Sequence, residues 1–167
     1  MQRVTDFQPI QPTDSFVIEL YKEHNISVDD LSTLPVTHQF LKELSLIYAF
    51  ENGYSDCLLL NQEKQLAMSG RGSIWLWSEG TLQTPDLGSG ISNDVLRNAF
   101  LDWTQNEAKI DVIQQSIAPF ALQNADALAI LDPYSGMYSV TKYRKKEYQH
   151  SGICDLFASF WEAQTQL

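Results

Sequence analysis

The chain is short of several things, and each shortage narrows what it can do. Of its 167 residues only 11 are Lys or Arg, against 21 Asp or Glu, for a formal net charge of −10. Such a surface repels phosphodiester backbones and anionic headgroups, which argues against nucleic acid and membranes as partners. No uninterrupted apolar run approaches the roughly eighteen residues of a membrane span. The N-terminal region lacks a basic stretch followed by an apolar one, so no secretory leader is expected and the protein reads as cytoplasmic. Its two cysteines, Cys57 and Cys154, lie far apart in apolar settings and read as reduced core residues. His24, His38 and His150 show no metal-ligand spacing with one another or with the cysteines, so no metal is expected. A GxSxG nucleophile elbow, internal repeats and low-complexity tracts are also missing.

What is there is an alternation of strand and helix signals of single-domain length. Residues 1–14, with Pro9 and Pro12, read as an irregular arm, and the folded domain as 15–167. Ser15 to Tyr21 alternates like a strand, and Lys22 to Leu34 is a polar connection with a turn at Asp29 to Leu31. Thr37 to Asn52 carries Phe40, Leu41, Leu44, Ile47 and Tyr48 at helical spacing, with Gly53 as the stop. Asp56 to Asn61, Leu66 to Met68, Ser73 to Ser78 and Thr81 to Thr84 are extended segments separated by turns rich in small residues. Gly88-Ser89-Gly90-Ile91-Ser92 then opens a helix running to Asn106, with Ser92 as its N-cap. Lys109 to Ser116 and Ala125 to Leu131 read as strands around a helical turn at Ala118 to Asn124. Tyr138 to Val140 is extended, Tyr143 to His150 is a basic connection, and Gly152 to Gln166 is a closing helix. The fold class is α/β or α+β. Trp75 and Trp77 give one strand an aromatic face, used for core packing or, failing that, for docking.

The order of these pieces is more specific than any one of them. GYSDCLLLNQEKQLAMSGRGSIWLWSEGTLQTPDLGSGISNDVL, from Gly53 to Leu96, resembles the second domain of the class IV aminotransferases. These pyridoxal-phosphate (PLP) enzymes include D-amino-acid aminotransferase, branched-chain aminotransferase and aminodeoxychorismate lyase. The family's usual run, near GxDEALLLDxxGxVxEGxxSNIFxxxxGxxxTPxxxxGITR, lies on Gly53 to Trp77 without a gap. The resemblance implies the C-terminal domain of the D-amino-acid aminotransferase-like fold, a mixed sheet or pseudobarrel with flanking helices. The family's first domain has no counterpart in this sequence.

The same resemblance implies where catalytic groups belong, and several are altered. The family's Schiff-base lysine falls on Pro35, or on Val36 with a one-residue slip, and neither can form an imine. Lys42, seven residues beyond Pro35, is the nearest amine and reads as a solvated helix residue. The glutamate that holds the ring nitrogen protonated falls on Met68; Glu63 upstream falls in a turn. Gly90-Ile91-Ser92 matches the family's phosphate cup, where helix-start amides grip the anion, with Asn93 where arginine is common. The second phosphate loop becomes Asp132-Pro133-Tyr134, with a repulsive carboxylate and a residue that has no N–H. Arg71 sits at the lip of the implied cleft, where it could contact a ligand carboxylate. Ser69 reads as a turn residue.

The expectation is therefore a class IV aminotransferase-like protein that has lost PLP-dependent catalysis, a pseudoenzyme kept for binding or assembly. PLP would be at most a weak non-covalent ligand. The alternative is an active aminotransferase or lyase completed by another chain. An absent first domain would leave an apolar wall bare, Trp75 and Trp77 included, so a homo-oligomer or a protein partner is expected to cover it.

Overall fold

Two strands have continuous apolar centres, Cys57 to Leu60 and Ala127 to Leu131, and so have to bury both faces. All six residues of Asp56–Asn61 and all six of Ala127–Asp132 are buried, which requires cover on either side. The computed structural model, which describes residues 8–11, 14–148 and 152–165, provides it with two sheets packed face to face and helices outside them.

In chain order the elements are β1 (Val17–Ile26), α1 (Gln39–Glu51), β2 (Asp56–Asn61), β3 (Leu66–Ser69), β4 (Ser73–Ser78) and β5 (Thr81–Pro85). A short 3-10 turn at Leu87–Ser89 leads to α2 (Val95–Asn106), β6 (Val112–Gln115), α3 (Ala121–Asn124), β7 (Ala127–Asp132) and β8 (Gly136–Ser139). The small strands β9 (Lys142–Tyr143) and β10 (Lys146–Glu147) precede α4 (Gly152–Thr165). One sheet has the order β10-β9-β1-β2-β3, the other β6-β5-β4-β7-β8. Both are mixed. β1 runs parallel to β2, with Leu20 opposite Leu58. A parallel pair needs a crossover, and α1 is that crossover. β5 and β6 are also parallel, with Gln83 opposite Ile113, and α2 connects them.

Strand alternation sorts the side chains into layers. Leu58 and Leu60 of β2, Ile74 and Leu76 of β4, and Leu128 and Ile130 of β7 fill the core between the sheets. The opposite faces look outward. Cys57 and Leu59 join Tyr21, Met68 and Ile91 on the α1 side. Trp75, Ala129 and Leu131 pack with Phe100, Phe157 and Phe160 under α2 and α4. Phe100 is the centre of that layer, edge-on to Trp75 at 4.9 Å, to Phe157 at 5.3 Å and to Phe160 at 5.5 Å. Both cysteines are buried.

Several expectations are corrected here. β1 continues to Ile26, where it still pairs with Asn61 of a parallel strand in the motif region, so no turn signal could mark its end. The segment expected as a strand from Lys109 is paired only over Val112–Gln115. The basic connection after Tyr143 folds into the β9–β10 hairpin. α2 begins at Val95 with Asp94 as N-cap, its carboxylate accepting the Arg97 N–H at 2.8 Å; Ser92 is not the cap. α1 is rotated from the face its apolar spacing suggests, with Leu41, Leu44 and Tyr48 of that stripe only partly buried against the core. Lys42, Ser45 and Ala49 are its buried residues, while Phe40 and Ile47 are exposed. Trp75 and Trp77 belong to the layer covered by α2 and α4 and are not a bare wall. Residues 1–7 and 12–13 of the expected arm, His150, and Gln166 at the end of the expected closing helix lie outside the described residues. Among the described residues no helix is long and apolar enough to cross a membrane.

Candidate functional site

Four chain segments distant in sequence converge on a cavity of about 230 Å³. Pro35 contributes from the turn before α1 and Lys42 from its first turn, and Met68, Gly72 and Ser73 from the end of β3, the turn and the start of β4. Ile91, Ser92, Asn93 and Asp94 contribute from the entrance to α2, and Pro133 and Tyr134 from the loop after β7. The fold thus brings together Pro35, Met68, Ile91, Ser92 and Pro133, all singled out from the sequence.

The β3–β4 turn is held by a small buried polar group. Ser69 Oγ accepts the N–H groups of Arg71 at 3.1 Å and Gly72 at 3.0 Å. Gly72 lies so close to β7 that a Cβ would sit 2.0 Å from the Leu131 carbonyl oxygen, so only glycine fits. Beneath the turn is Asp56, fully buried, with Oδ1 accepting the Cys57 N–H at 2.7 Å and Oδ2 without a hydrogen-bond partner among the described residues. Burial pushes its carboxyl up from 3.8 to about 6, against the opposing pull of Ser69, the Cys57 amide and Arg71.

At the α2 entrance two amides are committed within the chain. Gly90 N–H donates to the Leu87 carbonyl at 3.1 Å and Asn93 N–H to the Thr33 carbonyl at 2.8 Å. Gly90 has φ +86, and a Cβ there would come within 2.9 Å of Ile26 Cγ2, so it shapes the turn without lining the cavity. Ser92 Oγ points at the Met68 sulfur, 3.9 Å away. Asp94 occupies the positive end of the helix dipole. Its pKa is raised by burial, with the Arg97 amide, the Arg97 guanidinium and Lys42 pulling the other way. Arg97 is itself buried and donates to the Pro85 carbonyl at 3.0 Å and to Gln114 Oε1 at 3.1 Å, which fixes the helix start against β5 and β6.

The loop after β7 is closed on itself in the same way. Asp132, the last residue of β7, accepts the Tyr134 N–H at 2.8 Å and the Ser135 hydroxyl at 2.6 Å. It does not line the cavity, and Pro133 offers no N–H. Arg71 is also elsewhere. Its guanidinium lies over the Tyr138 ring, 5.1 Å from the centroid, and it is not a lining residue.

Three residues gain importance that the sequence did not suggest. Lys42, expected in solvent, is 8% exposed and lines the cavity. Asp94 provides a carboxyl at its wall, and Tyr134, 86% exposed, stands at its mouth. The signal for Lys42 was its 3- and 7-residue spacing to Ser45 and Ala49, a polar and small stripe easily overlooked beside the larger apolar one. Among the described residues no group of three or more His, Cys, Asp or Glu could hold a metal ion.

The sequence model of the family described as Amino-transferase class IV matches residues 11–143. No curated protein sequence matches the chain. Several solved structures share the fold. One, from Legionella pneumophila, is provisionally assigned as a 4-amino-4-deoxychorismate lyase; its TM-score is 0.81 at 18% identity, over 92% of this chain and 57% of that one. The branched-chain amino acid aminotransferase of Escherichia coli has a TM-score of 0.77 at 16% identity, over 92% of this chain and 52% of that one. An aminotransferase from Brucella abortus bound to PLP has a TM-score of 0.79 at 13% identity, over 96% of this chain and 57% of that one. The chain therefore spans little more than half the length of these proteins.

Proposed function

The chain belongs to the class IV aminotransferase family, and from that premise we propose that it no longer performs PLP-dependent catalysis and serves as a binding or assembly module built on the family's fold. The observation that carries this reading is Met68, 2% exposed, at the cavity wall with the Ser92 hydroxyl directed at its sulfur. A thioether there cannot keep a pyridinium nitrogen protonated, and that proton is what makes the ring an electron sink. The phosphate-binding elements support the same conclusion. The Gly90 and Asn93 amides are used within the chain, Asp94 faces an incoming anion, and Asp132 takes the donors of the second loop. These residues do not fit PLP.

The alternative, an active enzyme completed by another chain, is favoured by one observation. Lys42 places an amine in the same cavity as Pro35. The two readings separate in one experiment, in which the purified chain is mixed with PLP, its near-ultraviolet and visible absorbance recorded, and the mixture reduced with borohydride and mapped by peptide mass spectrometry. The proposal expects no discrete aldimine band and no single preferred lysine. A band together with stoichiometric reduction onto Lys42, or turnover of any amino acid, refutes it.

The assembly part of the proposal rests on α1. Phe40, Ile47 and Phe50 form an exposed apolar stripe at the 7- and 3-residue spacing of one helix face, with Phe40 76% and Phe50 84% exposed, and Val36 is exposed in the turn before the helix. A stripe of this kind marks a surface that a second copy or a partner covers.

A further inference from the structure

The connection between β1 and α1, residues 27–37, is attached to the rest of the domain by few contacts. From residue 27 to residue 38 the buried residues are Ser32, 1% exposed, and His38, 7% exposed, and both are polar. The large apolar residues of this stretch, Val28, Leu31, Leu34 and Val36, are all exposed. Its internal hydrogen bonds are local. Asp29 accepts the Leu31 N–H through Oδ1 at 2.8 Å and the Ser32 hydroxyl through its carbonyl at 2.7 Å, and the Thr37 hydroxyl donates to the Leu31 carbonyl at 2.6 Å. Yet the connection shapes the cavity, because Pro35 forms part of its wall and the Thr33 carbonyl accepts the Asn93 N–H at 2.8 Å. A segment with so little buried apolar surface lies at the low end of local stability.

Of the two buried anchors only His38 titrates. It stands at the N-cap position of α1 without a side-chain capping bond, and its Nε2 is buried with no hydrogen-bond partner among the described residues. A neutral ring tolerates that position better than an imidazolium does. Protonation would bury a charged ring with an unmatched donor and set a cation at the positive end of the helix dipole. Burial holds the His38 pKa below its usual 6.5, with Asp29 pulling the other way. Asp29 is itself exposed, and its carboxylate is held by the Leu31 N–H. Lys42, one turn along α1, is a cation and cannot offset the charge, and Asp94 at the α2 entrance is engaged with Arg97 and Lys42. The attached state therefore binds this proton less tightly than the released one. Attachment is complete above the ordinary imidazole value and is lost as pH falls below it.

We propose that His38 is a pH-sensitive latch, whose protonation releases the 27–37 connection, withdraws Pro35 from the cavity wall and frees the Asn93 N–H. The elements on either side stay folded, because Ile26, Ala49 and Ile91 share an apolar cluster to which the connection contributes no residue. Neutral solution keeps the cavity walled and mild acid opens it, whatever the cavity holds.

The test uses the full chain, isotopically labelled, with amide hydrogen exchange measured at about pH 7.5 and about pH 5.5 and corrected for the intrinsic change in exchange rate. The amides of Ser32, Thr37 and Asn93, which donate to the carbonyls of Asp29, Leu34 and Thr33, should lose protection together and several-fold at the lower pH. Those of Leu59 and Ile130, fully buried strand residues, should lose none. His38→Asn, polar but unable to take up a proton, should hold the three amides protected at both pH values. His24→Asn, which changes an exposed histidine of β1, should behave as the unmodified chain. Asp56 titrates in the same range with the opposite sign, so Asp56→Asn should leave the loss in place. Protection that does not change with pH, a loss shared by Leu59 and Ile130, or a loss that persists in His38→Asn and so belongs to Asp94 overturns the proposal. Should His38→Asn fail to fold, the unmodified chain decides: a midpoint shared by the His38 ring and Asn93 amide resonances supports the latch, and separate midpoints overturn it.

Discussion

Asp56 offers the sharpest quantitative test of how the cavity is supported. It lies beneath the Ser69–Gly72 turn that presents Gly72 and Ser73 to the cavity, and a Cβ on Gly70 would meet its Oδ1 at 2.8 Å. Burial carries its carboxyl from 3.8 to about 6. The folded state therefore holds this proton more tightly than the unfolded chain does. As far as this group is concerned, stability is complete below the unfolded value and is lost as pH rises through about 6. At 1.36 kcal/mol per pH unit the loss is about 3 kcal/mol once the carboxyl is ionised in both states. Asp56→Asn keeps the oxygen that accepts the Cys57 N–H and removes the titration. Urea unfolding followed by tryptophan fluorescence should show the variant gaining about 3 kcal/mol over the unmodified protein between about pH 4 and about pH 8. Taking the difference between the two proteins cancels the other carboxylates. Curves that stay parallel across this range, or a difference that opens only above about pH 8, would refute the reasoning.

Three further outcomes are expected. Asp94→Asn should leave α2 within about 0.5 kcal/mol of its present stability, because Asn caps as well as Asp, and should let inorganic phosphate shift the Ser92 amide, an effect absent from the unmodified chain. Phe100→Ala should cost about 3–5 kcal/mol in chemical denaturation, because it removes the ring that Trp75, Phe157 and Phe160 all contact; a loss under about 1 kcal/mol would mean that the layer repacks. Phe40→Glu with Phe50→Lys should lower the sedimentation coefficient of any self-associated species without changing the circular dichroism spectrum, and identical sedimentation before and after would rule out α1 as the covered face.

The sequence by itself determined the identity and order of most elements, together with much of the site. β2 and β4 coincide with the segments read from it, because a continuous apolar run between polar turns has few other uses. Pro35, Met68, Ser92 and Pro133 converge on one cavity because each occupies a fixed place along a motif that the family model also matches. What only the tertiary structure decided was the direction in which side chains face. α1 carries apolar residues almost all round, so periodicity gave its pitch but not its phase. Packing on β1 and β2 then turned Lys42 inward and left Phe40 and Phe50 outside. Asp94 displaced Ser92 as the cap because Asn93 is tied back to Thr33, a bond between segments sixty residues apart. Arg71 moved from the expected cleft to the Tyr138 ring, which β8 supplies from the far end of its sheet. Local sequence sets the spacing of side chains along an element. The non-local contacts that fix its rotation and its neighbours form only when the sheets close, and they decided which of those side chains reach the cavity.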